Sequence, residues 1–322
     1  MQLSLIKCHG SGNDFLLLDE TLPGNGGLED AERSQLSRTL CERSRGVGGD
    51  GMLYYQSSHV ADCRMRMFNP DGSEAEMCGN GLRCIARYAA EQLGREELQV
   101  ETAKATLKVR RQPPLAPGVA TFEVEIGPLS LTPAALPMAL TAERFHNQPL
   151  PELSSELRFS ALAIPNPHLV GVASQIDPSE VARIGAAANR SPLFPRGVNL
   201  SLLRPLGKNS IFVMTYERGV GITDSCGTAM SASAYVSMLH QISRIATPIT
   251  VYNRGGMVLC EIVSEQGPVL LKGNATFLFE IELELNDSGS DILQRTLHPQ
   301  REAEIAAYRS LQERAAATAA TL

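Results

Sequence analysis

Long apolar runs are missing from this 322-residue chain. None approaches the ~20 residues that a membrane-spanning helix needs, so no helical membrane span is expected. An excess of positive charge is missing too. The 29 Lys and Arg are outnumbered by 35 Asp and Glu, for a formal charge of −6. A nucleic-acid binder normally shows a basic face, so none is expected here. The seven cysteines, at 8, 41, 63, 78, 84, 226 and 260, include no CxxC pair. Their odd number argues against a secreted disulfide scaffold, and their spacing against zinc, whose ligands come in close Cys/His pairs. Met1 to Asp19 lacks the basic segment, apolar stretch and small-residue cleavage site of a signal peptide, so a reducing cytoplasm is the expected location. What is there is an ordinary globular composition, 43% hydrophobic and 20% charged, at a length that favours two domains.

Apolar runs bounded by turn residues predict strands over 3–7, 15–18, 52–55, 64–69, 98–102, 106–110 and 121–126. After a Pro- and Gly-rich stretch at 127–137 the same pattern returns over 157–164, 169–172, 198–203, 210–216, 249–252, 258–263, 269–272 and 277–285. Residues 29–45 suit a surface helix, and 302–317 an appended one with a frayed end.

The most informative feature is an internal repeat. Met67 to Cys78 reads MFNPDGSEAEMC, and Thr215 to Cys226 reads TYERGVGITDSC. Each leaves a strand carrying an aromatic, passes a glycine-bearing turn and reaches Cys-Gly after the same number of residues. A weaker echo pairs Gly12-Asn13-Asp14-Phe15-Leu16 with Pro165-Asn166-Pro167-His168-Leu169. The expected organisation is one half from 1–127 with 274–286, a second from 128–273, and a helical or flexible tail over 287–322.

In each half the cysteine stands where a helix begins. After Cys78, apolar residues at 82, 85, 86, 89 and 93 follow helical spacing until Gly94. After Cys226 the residues are mostly small, which suits a helix buried within a sheet. A helix N-terminus favours thiolate. Its N–H groups, here those of Gly79, Asn80, Gly227 and Thr228, can hold a carboxylate. Two such helix starts opposed to one another could invert a carbon beside a carboxylate: one thiolate removes the α-proton and the other thiol returns one from the opposite face. No metal and no other cofactor is called for. A Cys–His hydrolase using His9 or His168 would leave the duplication of Cys-Gly unexplained. The other five cysteines read as small buried hydrophobes.

These motifs resemble the diaminopimelate epimerase family over about residues 1–285. The resemblance rests on His9-Gly-Ser-Gly-Asn-Asp-Phe15, on Phe68-Asn-Pro-Asp-Gly-Ser-Glu74 leading to Cys78-Gly-Asn-Gly81, and on Glu217-Arg-Gly-Val-Gly221 leading to Thr223 and Cys226-Gly-Thr228. Pro165-Asn-Pro-His168, Val198-Asn199 and Asn253-Arg-Gly-Gly256 fit as well. The resemblance implies an α/β (α+β) fold of two pseudo-symmetric lobes, each a curved, barrel-like sheet around a central helix. It implies a pyridoxal-independent isomerase that converts LL- to meso-diaminopimelate for lysine and peptidoglycan synthesis. Cys78 and Cys226 would be the acid/base pair. Gly79, Asn80, Gly227 and Thr228 would hold the reacting carboxylate, and Asn13, Asn69, Asn166, Asn199, Glu217 and Arg218 the rest of the substrate. The partner would be a small amino acid, with no nucleic acid and no membrane, and the protein a monomer or homodimer. Ile222 stands where the family usually has Glu, and Asp224-Ser225 and Ala229-Met-Ser-Ala232 also depart from its pattern. Two alternatives follow: a racemase for another amino acid, of the histidine or hydroxyproline type, and a non-catalytic relative that binds a small acid.

Overall fold

The computed structural model describes residues 1–265 and 267–321. In chain order the first elements are β1 (Gln2–Gly10), β2 (Asn13–Asp19), α1 (Asp30–Cys41), β3 (Gly51–Gln56), β4 (Cys63–Phe68), β5 (Glu74–Ala75), α2 (Gly79–Leu93), β6 (Glu97–Glu101), β7 (Thr106–Gln112) and β8 (Thr121–Ile126). There follow β9 (Gln148–Leu150), β10 (Ser154–Ala163), β11 (Pro167–Val172), α3 (Pro178–Arg190), β12 (Asn199–Gly207), β13 (Ser210–Glu217), β14 (Gly221–Thr223), α4 (Gly227–Leu239), β15 (Ile249–Asn253), β16 (Gly256–Ile262) and β17 (Val269–Asn274). The chain ends in β18 (Thr276–Leu285), β19 (Ile292–Leu297) and α5 (Glu302–Thr321). It divides into two compact units. One holds Met1–Val124 and Gly273–Ser310; the other holds Glu125–Lys272 and the end of the chain from Leu311.

The first unit orders its strands β19-β18-β1-β2-β3-β4-β6-β7-β8, with β5 a short addition to β4. All pairs are antiparallel except β2 with β3 and β4 with β6. A parallel pair needs a crossover, and α1 and α2 supply the two. The second unit repeats the scheme. Its order is β9-β10-β11-β12-β13-β15-β16-β17, with β14 on β13. The parallel pairs are β11 with β12, crossed by α3, and β13 with β15, crossed by α4. The duplication seen in sequence is therefore a duplication of topology.

Strand alternation sets two faces. In the first unit Leu16, Leu18, Met52 and Tyr54 pack with Leu36 and Leu40 of α1. Leu53 points the other way, toward α2, so closely that a Cβ on Gly81 would lie 2.7 Å from its side chain. Each fully buried leucine of this kind contributes about 1.5–3 kcal/mol. Helix α2 touches β1, β2, β3, β4, β6 and β7, so the sheet curves around it, and Gly79 through Ala90 are all buried. Its capping follows the sequence: Cys78 is the N-cap, and Gly94 closes the end in the left-handed region at φ 63°, donating its N–H to Ala90 O. Helix α4 is buried from Gly227 to Ser237, as its small residues predicted.

Helix α3 is a missed element. Its signal was present: Asp177 caps Pro178-Ser-Glu180, and Val181, Ile184 and Ala188 form the buried stripe. The helix expected over 29–45 stops at Cys41. The segment after Asn286 starts as a strand, since β19 pairs antiparallel with β18 before α5 begins.

Candidate active site

In the first unit the residues around Cys78 converge. The sulfur, half-buried at the start of α2, accepts the Gly81 N–H at 3.3 Å. This donor favours the anionic form of the group it faces. Asn13 opens β2, and its Oδ1 lies 4.0 Å from the Cys78 sulfur. The same oxygen accepts from Asn80 Nδ2 at 3.2 Å, while Asn13 Nδ2 donates to Asp50 Oδ2 at 2.7 Å. Burial, and then the charge of Asp14, raise the Asp50 pKa. Asn69 behaves differently. It closes the β4–β5 turn, donating its side chain to Ser73 Oγ at 3.0 Å and its N–H to Ser73 O at 2.8 Å.

In the second unit Cys226 is the N-cap of α4 and is buried. Its sulfur lies 3.4 Å from Thr228 Oγ1, which is 3.0 Å from His168 Nε2. That nitrogen is also 3.0 Å from Asn166 Oδ1. Burial, with some help from the Arg218 charge, lowers the His168 pKa to about 3, so the ring is neutral. Asn166 Oδ1 can only accept, so Nε2 carries the proton and His168 donates to both oxygens. The Thr228 hydroxyl is then left to donate its own proton to the Cys226 sulfur. His168 Nδ1 is buried and has no partner among the described residues. Asn199 Oδ1 accepts the Arg218 N–H at 2.9 Å. The exposed Arg218 guanidinium donates to Arg196 O at 2.8 Å, and Glu217 accepts from Thr223 Oγ1 at 2.5 Å.

A helix start favours thiolate, but burial opposes it at Cys226. Burial, and then the negative charge of Glu217, push this thiol well above its ordinary value, against the pull of Thr228. Desolvation of a fully enclosed sulfur outweighs the helix end here. The second unit thus holds a protonated thiol, and the first a sulfur that receives an N–H. Asp50 was not singled out by the sequence, and His168 and Thr223 stood in its motifs without a role in the substrate site. His168 stood in the weaker echo, at an equivalent place to Phe15, and its contact with Thr228 shows its involvement.

The departures near Cys226 are absorbed locally. Ile222 sits opposite Tyr216 and packs against the apolar cluster under α3. Asp224 pairs with Arg254 at 3.2 Å, and the Ser225 hydroxyl accepts from Asn253 Nδ2 at 3.3 Å. Among the described residues no three His, Cys, Asp or Glu side chains converge to hold a metal ion, and no helix is long and apolar enough to cross a membrane.

Two topologically equivalent units, each with a buried helix starting at Cys-Gly, define a class of duplicated α/β proteins. Solved structures share this fold. A phenazine biosynthesis protein of the PhzF family from Bacillus anthracis aligns with a TM-score of 0.63 at 15% identity, over 88% of this chain and 100% of that one. A hydroxyproline epimerase from Agrobacterium vitis aligns with a TM-score of 0.59 at 15% identity, over 90% of this chain and 97% of that one. The chain itself belongs to the diaminopimelate epimerase family, whose pattern it matches over residues 5–126 and 161–278. It is 45% identical to the diaminopimelate epimerase of Enterococcus faecalis over 298 residues, covering 89% of this chain and 91% of the relative. It is 41% identical to that of Clostridium acetobutylicum over 290 residues, covering 89% and 87%. It is accordingly an isomerase of the epimerase type.

Proposed function

We propose that this protein interconverts LL- and meso-diaminopimelate by inverting one α-carbon, as a step of lysine and peptidoglycan synthesis in the cytoplasm. Its partner in this reading is the small amino acid alone, and it works as a monomer or homodimer. The observation that carries the reading is the pair of equivalent helix starts, with a donor on the Cys78 sulfur and burial raising the Cys226 thiol pKa.

Cys78 as thiolate takes the α-proton from one face, and the C–H electron pair stays on carbon, delocalised into the carboxylate. Cys226 delivers its S–H proton to the opposite face. The C–H bond broken is replaced by a C–H bond formed, and the sulfurs have exchanged protonation states, so the reverse reaction starts from the other cysteine. The two titrate as a pair. The N–H groups of Gly79, Asn80, Gly227 and Thr228 stabilise the charge that grows on the carboxylate. Losing one such donor in an oxyanion site typically costs about 3–4 kcal/mol of transition-state stabilisation. Asn13, Asn69, Asn166 and Asn199 position the remainder, Glu217 accepts from an ammonium, and Arg218 takes the distal carboxylate, whose two oxygens match its fork.

The test is α-proton exchange in deuterated water across a panel of amino acids. Exchange with diaminopimelate but not with histidine or hydroxyproline supports the reading. Exchange with one of those instead assigns a different racemase, and no exchange with any amino acid makes the chain a binding protein. Cys78→Ala and Cys226→Ala should each abolish turnover, and a single variant with near-normal epimerisation refutes the two-base scheme.

A further inference from the structure

The chain beyond residue 278 lies outside the family match, yet the start of α5 is bonded to the groups that hold Asn13 and Asn80. Tyr308 is buried at 5% exposure. Its ring meets His9 edge-on with centroids 4.6 Å apart, and its hydroxyl is within hydrogen-bonding reach of Ser11. Ser11 is a non-glycine residue in the left-handed region, at φ 56°, in the β1–β2 turn that ends at Asn13. Such a conformation persists only where its surroundings fix it. Here the Ser11 N–H donates to Asn274 Oδ1 at 2.7 Å, and its hydroxyl accepts from Arg83 Nη2 at 3.0 Å. The same Arg83 nitrogen donates to Asn80 Oδ1 at 3.0 Å. His9, neutral through burial, accepts the Gly12 N–H on Nδ1 at 3.2 Å.

One turn earlier on α5, Glu304 pairs with both terminal nitrogens of Arg87 and accepts the Phe277 N–H at 2.8 Å. Arg83 and Arg87 are four residues apart on α2, and Glu304 and Tyr308 four apart on α5, so each pair shares one helix face. There is no slack at this point. A Cβ on Gly10 would lie 2.8 Å from Arg83 Nη2 and 2.8 Å from the Asn80 carbonyl oxygen. A displaced Arg83 therefore displaces Asn80.

We infer that α5 is a built-in support for the Cys78 site, and that Tyr308 is a positioning residue which, through Ser11 and Arg83, fixes the carboxamides of Asn13 and Asn80 beside that sulfur. The inference rests on the reading of Cys78 as an acid/base residue. Removing the Tyr308 side chain releases the β1–β2 turn from its left-handed conformation and loosens the seat of Arg83. The surroundings of the Cys78 sulfur then change, while those of Cys226 do not.

The test uses the full-length chain with Tyr308→Ala, Tyr308→Phe and Glu304→Gln. It measures kcat/KM for diaminopimelate, the thermal midpoint, and the pH profile of iodoacetamide alkylation at each cysteine, located by mass spectrometry. Tyr308→Ala should lower kcat/KM by roughly tenfold or more and move the alkylation profile of Cys78 alone. Tyr308→Phe, which keeps the ring on His9 but loses the hydroxyl that reaches Ser11, should recover only part of the loss. If Tyr308→Ala does not fold, Glu304→Gln, which neutralises the partner of Arg87, carries the same readouts. Wild-type kcat/KM with an unmoved Cys78 profile overturns the inference. So does an equal movement at both cysteines that follows a lowered thermal midpoint. A selective Cys78 shift in a protein whose wild type does not turn over diaminopimelate upholds the support and overturns only the substrate.

Discussion

The Thr228 hydroxyl stands 3.4 Å from the Cys226 sulfur and, because it accepts the His168 N–H, has its own proton to offer that sulfur. It opposes the burial and the carboxylate charge that keep Cys226 protonated. Thr228→Val keeps the shape of the side chain and removes the donor. We expect slower alkylation of Cys226 at fixed pH and a loss of about 1–2 kcal/mol in transition-state stabilisation, roughly tenfold or somewhat more in kcat/KM. Thr228→Ser should stay near wild type. Equal activity of the valine and serine variants would show that the hydroxyl does not serve the sulfur.

Glu217 acts in the opposite sense. Its negative charge raises the Cys226 pKa, second only to burial. Glu217→Gln removes the charge and keeps the shape, so the thiol should ionise more easily. Cys226 should then be alkylated faster at any pH below its titration, with Cys78 unchanged. Turnover should fall nevertheless, since the carboxylate that would accept from the substrate ammonium is gone. Slower alkylation at Cys226 would contradict this account of its electrostatics.

Much of the fold was legible because the repeat fixed it. The aromatic strand end, glycine turn and Cys-Gly recur at one spacing, and both cysteines prove to be helix N-caps. Short apolar runs marked most strands. Helix α3 was harder, because its apolar stripe is narrow and flanked by alanine, and its beginning is announced only by Asp177 and Pro178. The site was legible as residue types and illegible as electrostatics. A helix start favours a thiolate, but how far a sulfur is desolvated depends on residues distant in sequence. The roles of His168 and Tyr308 depend on partners 60 and about 300 residues away, at Thr228 and at His9. Local pattern cannot report such contacts.

Arg218 should decide which acids bind. Its N–H is held by Asn199, and the described guanidinium bond is to a backbone carbonyl, Arg196 O, which leaves most of its five donors for a ligand. Arg218→Ala should raise KM for diaminopimelate by roughly 30- to 100-fold, the equivalent of about 2–3 kcal/mol for a charge-assisted pair. An amino acid with a single carboxylate should be affected little. Arg218→Lys should restore only part of the loss, because an ammonium lacks the planar fork. A uniform loss across both substrate types would remove Arg218 from distal carboxylate recognition.

Two buried imidazoles set an acid limit on stability. Burial lowers His9 to about 4 and His168 to about 3, whereas an imidazole in the unfolded chain titrates near 6.5. Between these values the unfolded state binds more protons than the folded one, so stability rises with pH. The contribution is fully present above about pH 6.5 and is lost as pH falls toward the folded values, by about 2 kcal/mol from each ring at pH 5. Asp14, held well below its ordinary value by Arg43 and Lys7 against the effect of burial, adds stability that is fully present above its unfolded value of 3.8 and is lost only as pH falls below it, outside this range. The urea midpoint should therefore drop clearly between pH 7 and pH 5. His168→Gln should flatten that dependence in part, since one contributing ring is gone. A midpoint that does not change over this range would show that the rings are protonated in the folded protein, and with it that His168 does not present a single proton to Asn166 and Thr228.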